Sequence, residues 1–236
     1  VGVKTCCEGQ DVLLAVTNGK CIRFPITDVR EFASRNSTGV RGIKCSVDDR
    51  VISMSILDHQ DIDIDVRDVY LKHASADRRN GNDNTSRDLS QWHDEQDRSL
   101  AEREEMILSV TENGYGKRTS AYEYRITRRG GQGIINIATS PRNGPVVASF
   151  AVKATDQLML VTDAGKLIRI PVSDIRIAGR NTQGVTLFKT KKCERVVSVI
   201  RLGAESEIDN IGGDENTEGD KADEPEELAG DVENEL

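Results

Sequence analysis

The chain has 236 residues and a formal net charge of −8, and 36% of its residues are hydrophobic and 4% aromatic. The longest apolar run, Val146–Val152, is too short to cross a bilayer, so no membrane segment is predicted. Five cysteines without a CxxC spacing favour reduced thiols in a cytosolic protein over a disulfide framework or a metal site. The sequence opens on Val1 without a secretory signal pattern, and we interpret the chain as a piece of a longer protein.

The charge is sorted along the chain. Residues 203–236 carry a net charge of −13 and residues 57–104 a net charge of −6, whereas the remaining residues together carry +11. The acidity therefore lies in an insert and a tail, and the rest of the chain is basic. Such an asymmetry indicates a polyanionic partner.

Residues 1–10 are interpreted as the remnant of a preceding unit, because the first of three internal repeats follows directly. The repeats occupy residues 11–56, 105–155 and 156–202. In each repeat a glycine is followed 11 positions later by an arginine, then by a second arginine and a second glycine. These four positions are Gly19, Arg30, Arg35 and Gly39; Gly114, Arg125, Arg129 and Gly133; and Gly165, Arg176, Arg180 and Gly184.

Each repeat predicts four short strands. The first is an apolar run that ends at an Asn-Gly or Ala-Gly turn, which is typical of a hairpin. In the first and third repeats the second run alternates apolar and polar residues, so we expect Arg23 and Arg169 to face solvent. A third strand is expected after the second glycine of each repeat, and a fourth at its end.

Four strands in 46 to 51 residues is the length of one propeller blade. A single blade cannot bury both of its faces, so the repeats are predicted to stack. The predicted fold class is all-β, with propeller-like blades. Three blades are few for a closed ring, which favours further blades upstream.

Residues 57–104 form a charged insert that contains all three histidines and the only tryptophan. Asp61–Asp68, DIDIDVRD, lacks the glycine and the distal glutamate of a calcium-binding loop, so no metal site is predicted. The stretch Arg78–Ser86 is flexible by composition, and Leu89–Met106 has helical character. The insert is thus partly helical and partly disordered, and the sequence assigns it no function.

Three stretches carry a resemblance to a known family. ENGYGKRT (Glu112–Thr119), TDAGKLIR with GRNTQGV (Thr162–Val185) and RNSTGVRGIK (Arg35–Lys44) resemble the C-terminal domain of the DNA gyrase A subunit, at its last three blades. The resemblance covers nearly all of residues 11–56 and 105–202. It implies a partial β-pinwheel whose basic rim wraps double-stranded DNA, within an ATP-dependent type II topoisomerase that introduces negative supercoils.

The resemblance also implies what this chain lacks. The family's catalytic tyrosine lies in the upstream breakage-reunion domain, so no catalytic residue is assigned, and Tyr115, Tyr122 and Tyr124 are not interpreted as the nucleophile. ATP, and with it Mg²⁺, is bound elsewhere in a heterotetramer of two A and two B subunits, so no cofactor is expected on this chain. The implied location is the bacterial cytoplasm, on the chromosome.

The loop RRGGQG (Arg128–Gly133) resembles the family's Gln-Arg-Arg-Gly-Gly-Lys-Gly box with two departures. Thr127 stands in place of the leading glutamine and Gln132 in place of the lysine. The loop also lies in the second of the three repeats, whereas the box belongs to the first blade of the family's domain. We interpret it as the equivalent loop of another blade, in which glycines and two arginines still suit a phosphate backbone.

The candidate DNA contacts are basic residues that recur at matching positions, because repetition places like charges at like places around a disc. Such contacts bind phosphates and not bases, which predicts weak sequence specificity and a steep dependence on salt. The candidates are Arg23, Arg30, Arg35, Lys117, Arg118, Arg125, Arg128, Arg129, Arg169, Arg176 and Arg180.

The tail, residues 203–236, is predicted to be disordered from its composition. A tethered polyanion competes with DNA at high local concentration, so we hypothesise that the tail restrains wrapping. A merely solubilising tail is the alternative.

Two other functions remain open at this point. The first is the A-type subunit of topoisomerase IV, which the well-kept repeats and the acidic tail disfavour. The second is a propeller that binds proteins and no nucleic acid. A DNA-binding measurement over a salt series distinguishes this second function from DNA wrapping.

Overall fold

The computed structural model describes residues 2–79, 95–191 and 193–203. Strands and two helices follow one another through these ranges. They are β1 (Gln10–Val16), β2 (Lys20–Pro25), β3 (Val51–Asp58), α1 (Ile64–Arg79), α2 (Glu95–Arg103), β4 (Met106–Thr111), β5 (Tyr115–Ser120), β6 (Ile134–Ile135), β7 (Val146–Val152), β8 (Gln157–Thr162), β9 (Leu167–Pro171), β10 (Val185–Thr186) and β11 (Val196–Leu202).

Each repeat opens with an antiparallel hairpin, as the sequence predicts. β1 pairs with β2, β4 with β5 and β8 with β9. The last residue of each hairpin turn is a glycine with positive φ, at 84°, 76° and 76° for Gly19, Gly114 and Gly165. Because this left-handed conformation is costly for residues with a Cβ atom, glycine sets the turn and with it the strand register.

The outer strand of a repeat pairs with a short strand from the next repeat. The sheet orders are β3-β1-β2-β6, β10-β5-β4-β7 and β11-β8-β9, so β6 completes the first sheet and β10 the second. The third strand predicted after the second glycine is confirmed in the second and third repeats, but it pairs with the outer strand of the preceding repeat and not with its own. In the first repeat, residues 29–50 form no strand at all, because the described residues contain no preceding outer strand to pair with.

The hydrophobic core lies largely between the sheets. One cluster joins Leu13 of β1 and Leu57 of β3 to Ile107 and Tyr124 of the second repeat. Another joins residues of β4 and β7 to β8 and the segment that follows β9. The last strands of the repeats, β3, β7 and β11, pack on one another. The outer strands β2, β5 and β9 lie on the opposite side of the sheets, where β6 and β10 flank β2 and β5, and the predicted all-β, blade-like fold is confirmed.

Each outer strand leads into a single turn of 3-10 helix, at Ile26–Asp28, Ala121–Glu123 and Val172–Asp174. The insert packs on the second of these turns. Tyr70 of α1 meets Tyr122 edge-on, with ring centroids 5.5 Å apart, and the Tyr122 hydroxyl donates to the Leu100 carbonyl of α2 at 2.8 Å. Burial raises the pKa of Tyr122 to about 12.

Two helices form in the described part of the insert. The alternating stretch Asp61–Asp68 runs into a helix, because α1 begins at Ile64 and Asp63, just before it, accepts the Asp65 amide at 2.8 Å and caps the helix start. The helical character predicted for Leu89–Met106 is realised in α2, whereas residues 80–94 lie outside the described part. Among the described residues no helix could span a membrane, and no cluster of His, Cys, Asp and Glu could hold a metal. The tail from residue 204 onward is outside that part as well.

Gly133 provides a test of the pairing between β6 of the second repeat and β2 of the first. Its φ is +73°, and a Cβ atom would lie 2.3 Å from the Cys21 carbonyl oxygen, in the strand on which β6 pairs. Gly165 has a similar φ, +76°, but its Cβ would meet nothing within 4 Å. We expect Gly165→Ala to cost about 1–2 kcal/mol of unfolding free energy from φ alone. Gly133→Ala should cost roughly 1–3 kcal/mol more, because crowding adds to the same strain.

Urea unfolding of the two variants and the wild type measures this difference. Equal losses for the two variants would contradict the close approach of β6 to β2.

Candidate nucleic-acid interface

Repetition places the arginines in three registers, which we name by their positions in the blade. The strand register holds Arg23, Arg118 and Arg169 on the outer strands; the turn register holds Arg30, Arg125 and Arg176 just after the 3-10 turns; the loop register holds Arg35, Arg129 and Arg180 in the following loop. The three registers differ in burial and in hydrogen-bond partners.

The strand-register arginines join neighbouring repeats. Arg23 is only 5% exposed, its Nε lies 2.7 Å from the Asp11 carboxylate, and its Nη1 donates to the Ala121 carbonyl of the second repeat at 3.0 Å. Arg118 is 4% exposed and donates to the Ser173 and Ile175 carbonyls of the third repeat at 2.9 and 2.6 Å. The prediction that Arg23 and Arg118 lie on a DNA-binding rim is wrong, because each binds the turn of the next repeat.

Arg169 occupies the same register in the third repeat but is exposed, as predicted. Its Nε donates to the side chain of Gln157 on the neighbouring strand β8. Within residues 2–203, as far as they are described, no further repeat follows to cover β9. The burial of a strand-register arginine thus depends on the next blade and not on its own strand.

Lys117 is also not a DNA contact. It is fully buried, and its Nζ donates to the carbonyls of Gly179 and Arg180 at 2.5 and 2.8 Å. Burial lowers its pKa to about 7, partly opposed by the charge of Glu123. The sequence held a signal for this orientation: Lys117 stands three residues after the turn glycine, where Ile22 and Ile168 stand in the other repeats.

The loop-register arginines reach back to the preceding repeat. Arg129 is half-buried, and its Nε donates to the Asp28 carbonyl at 2.8 Å. Arg180 is half-buried too, and its Nη1 donates to the Ile135 carbonyl at 2.8 Å. Arg35, in the first repeat, is exposed. Part of each half-buried guanidinium in this register is therefore committed to holding blades together.

The turn register differs from the other two, because Arg30, Arg125 and Arg176 are exposed in all three repeats. Each follows its 3-10 turn by two residues, at the end of an outer strand. The Arg30 guanidinium lies over the Phe32 ring, 5.5 Å from its centroid, so its position is partly set by a cation–π contact. Arg128 is exposed as well and adds a charge beside Arg125. We call Arg30, Arg125 and Arg176 the turn track.

A second basic surface was not predicted from the sequence. Arg142 lies 5.1 Å from the Tyr115 ring centroid and donates to its hydroxyl at 3.2 Å, which lowers the pKa of Tyr115. Tyr115 and Arg142 line a cleft of about 610 Å³, whose other lining residues include Lys189, Lys191 and Arg195. These residues stand in loops that do not keep the glycine–arginine spacing, so repetition could not reveal them.

Comparison with known proteins supports the blade assignment. The family model described as the DNA gyrase C-terminal domain, beta-propeller, matches residues 10–58, 105–153 and 156–202. The DNA gyrase A subunit of Granulibacter bethesdensis is 45% identical over 232 residues, which is 91% of this chain and 25% of that protein. The corresponding Rickettsia bellii protein is 46% identical over 215 residues, which is 89% of this chain and 24% of that protein. The chain thus spans about a quarter of the length of these relatives.

Solved structures show the same fold at low identity. The C-terminal domain of DNA topoisomerase IV matches with a TM-score of 0.60 at 18% identity, over 84% of this chain and 48% of that chain. The E. coli ParC C-terminal domain matches with a TM-score of 0.50 at 15% identity, over 83% of this chain and 63% of that one. At such identities the likeness concerns the fold alone.

The buried Arg23–Asp11 pair predicts a large effect of a small substitution. Asp11→Asn leaves the Arg23 guanidinium buried without its counter-charge, so we expect a loss of roughly 3–5 kcal/mol in the free energy of unfolding. Asp68→Asn removes the same charge from the half-exposed Arg67–Asp68 pair, 2.8 Å long, and should cost below about 1 kcal/mol. Urea unfolding measures both variants, and similar small losses would contradict a stabilising role for the buried pair.

Lys117 predicts a pH dependence. Its folded-state pKa of about 7 lies below the ordinary value of 10.5, so the unfolded chain holds more protons at this residue between those values. The stability contributed by this group therefore rises as pH increases above 7, by up to about 1.4 kcal/mol per unit. We expect the unfolding free energy of wild type, relative to Lys117→Met, to increase from pH 7 to pH 9. If the unfolding free energies of the two proteins change with pH in parallel, the lowered pKa of Lys117 is contradicted.

Proposed function

This chain belongs to the DNA gyrase C-terminal domain β-propeller family, and from that membership we propose that it binds double-stranded DNA along the turn track and wraps it. The observation that carries the proposal is the exposure of Arg30, Arg125 and Arg176 at the same place in every repeat. Arg128 adds to the track, and the exposed parts of Arg35, Arg129, Arg169 and Arg180 flank it. Arg23, Lys117 and Arg118 act inside the blade interfaces instead.

The chemistry of the track suits phosphates. A guanidinium group carries a permanent positive charge and a planar fork of donors that matches a phosphate, and it reads no base sequence from there. A regular series of such groups favours a bent duplex over a straight one. Each blade is rotated relative to the one before it, so the contacts on successive blades follow a curve. Bending 20–30 base pairs through 40–90° costs on the order of 1–6 kcal/mol, so several contacts must act together.

The wider activity is proposed for the whole protein. The curated relatives are A subunits of DNA gyrase, and this chain corresponds to about a quarter of their length. We infer that wrapping on this chain sets the sense of the DNA crossing presented to the upstream breakage-reunion domain, in a bacterial type II topoisomerase that supercoils DNA negatively. The B subunit supplies ATP hydrolysis with Mg²⁺, in a heterotetramer of two A and two B subunits in the cytoplasm. The acidic tail as a restraint on wrapping remains a prediction.

The alternatives are weaker. The two curated relatives above carry the gyrase name, whereas the likeness to the topoisomerase IV domain rests on 18% identity and concerns the fold. A propeller that binds only proteins has no need for an arginine exposed at one register of every blade. DNA binding that falls steeply with salt separates the proposal from this second alternative.

The turn track can be tested as a unit. The triple variant Arg30→Gln, Arg125→Gln, Arg176→Gln should bind a linear duplex roughly 100-fold more weakly at low salt, at about 1 kcal/mol or more per lost contact. The slope of log affinity against log salt should fall in magnitude by about 2–3, since each phosphate contact adds close to one. Fluorescence anisotropy over a salt series measures both quantities.

A matched triple variant controls for net charge: Arg50→Gln, Arg67→Gln, Arg201→Gln removes three arginines from outside the track. Its affinity and slope should stay close to wild type. Ligation of nicked plasmid with the protein bound then tests wrapping, because a wrapped duplex leaves a linking difference after the protein is removed. Equal losses for the two triple variants would mean that binding follows net charge and not the track.

A further inference from the structure

The helical insert lies beside the turn track. The family model matches residues on both sides of it and none in 59–104, so the family does not account for the insert. Tyr70 and Ala74 of α1, with Leu100 of α2, pack on Tyr122 of the second repeat. Because Tyr122 stands three residues before Arg125, this packing fixes α1 next to the track at the second blade.

The other end of α1 reaches the third blade. A cleft of about 740 Å³ is lined on one side by Ser75, Arg78 and Arg79 of α1. Its other side is lined by Ser173–Gly179 of the third repeat, which includes Arg176 of the track. The helix therefore runs from the 3-10 turn of the second repeat to that of the third, alongside two consecutive track positions.

The charges of the cleft are mostly positive. Arg79 and Arg176 contribute two positive charges, and Asp174 is the one carboxylate among its described lining residues. Arg79 and Arg176 are exposed, and Arg79 is held in place by a hydrogen bond of 3.2 Å from its Nε to the Ser75 carbonyl. A cleft open to solvent with this charge favours an anionic occupant.

We propose that this cleft binds a backbone phosphate of the same duplex that follows the turn track. Arg79 supplies a second guanidinium opposite Arg176, so the insert extends the DNA path between the second and third blades. The proposal rests on DNA binding by the turn track and adds to it a residue outside the repeats. It gives the insert, which the repeat pattern leaves unexplained, a part in DNA binding.

A purely structural role for the same arginine is also physically reasonable. Cations in the last turn of a helix interact favourably with its macrodipole and carbonyls, and Arg79 is the last residue of α1. Such a role affects the stability of the protein and leaves its affinity for DNA unchanged. The two roles are therefore separated by measuring binding and unfolding on the same variants.

The test compares Arg79→Gln with Arg67→Gln in the full chain. Both remove one arginine from α1, but Arg67 stands 12 residues earlier, about 18 Å along the axis, and lines no part of the cleft. We expect Arg79→Gln to weaken duplex binding about 5- to 10-fold at low salt and to reduce the salt slope by about one. Arg67→Gln should bind within twofold of wild type.

Combination with Arg176→Gln sharpens the test. If both side chains hold one phosphate, the double variant should lose less affinity than the product of the two single losses. Wild-type affinity for Arg79→Gln, with or without a lower unfolding midpoint, would overturn the proposal and favour the structural role.

The turn-track triple variant distinguishes a failure of the insert's proposed role from a failure of the proposed function. If it loses DNA binding while Arg79→Gln does not, only the role of the insert fails. If neither loses binding, the proposed function fails with it.

Discussion

The hydrogen bonds from strand-register arginines to the carbonyls of the next repeat are the constraint on which the structure depends. Buried carbonyl groups need hydrogen-bond donors, and a carbonyl such as that of Ala121, which already accepts the Tyr124 amide at 3.1 Å, can accept a second donor. Arg23 and Arg118 supply donors to these carbonyls, and short strands from the next repeat complete the outer edges of the first two sheets. Because each blade is finished by its neighbour, the blades form one unit and their turns are held in matching positions. The regular spacing of exposed arginines follows from these bonds.

The same constraint divides the positive charge of the chain into two populations. Outside the insert and tail the chain carries a net charge of +11, but Arg23, Lys117 and Arg118 are buried within blade contacts. Their charges are neutralised by a carboxylate or matched to carbonyl groups, and in Lys117 burial lowers the pKa to about 7. The positive charges available at the surface are those of the exposed registers and of the cleft lined by Arg142, Lys189, Lys191 and Arg195. Net charge alone therefore overstates the surface available to a polyanion, and register decides which residues contribute.

The sequence predicts the hairpins well, because a turn glycine with positive φ and the apolar run before it are local properties. It predicts the orientation of Arg23 poorly, because alternation along a strand assumes that one face meets water, whereas stacked blades cover both faces. Strand exchange is invisible for a related reason: pairing of Ile134 with Cys21 joins two repeats and leaves no local signature. Helix α1 begins in the alternating stretch DIDIDVRD, which has the period of a strand. The helix forms because Tyr70 and Ala74, four residues apart, lie on one helical face and are both buried.

The charges of α1 differ between its two ends, and this difference bears on where the proposed DNA path can meet the helix. Residues 61–68 contain four aspartates and one arginine, whereas residues 72–79 contain one aspartate against Lys72, Arg78 and Arg79. Within α1 itself, Asp65 and Arg79 stand 14 residues apart, about 21 Å along the helix axis and beyond a Debye length of about 8 Å, so a phosphate responds to the two ends separately. The acidic beginning repels a duplex and the basic end attracts it. Since the basic end lines the cleft with Arg176 and the acidic beginning does not, the charge pattern of α1 favours the proposed phosphate site at its basic end.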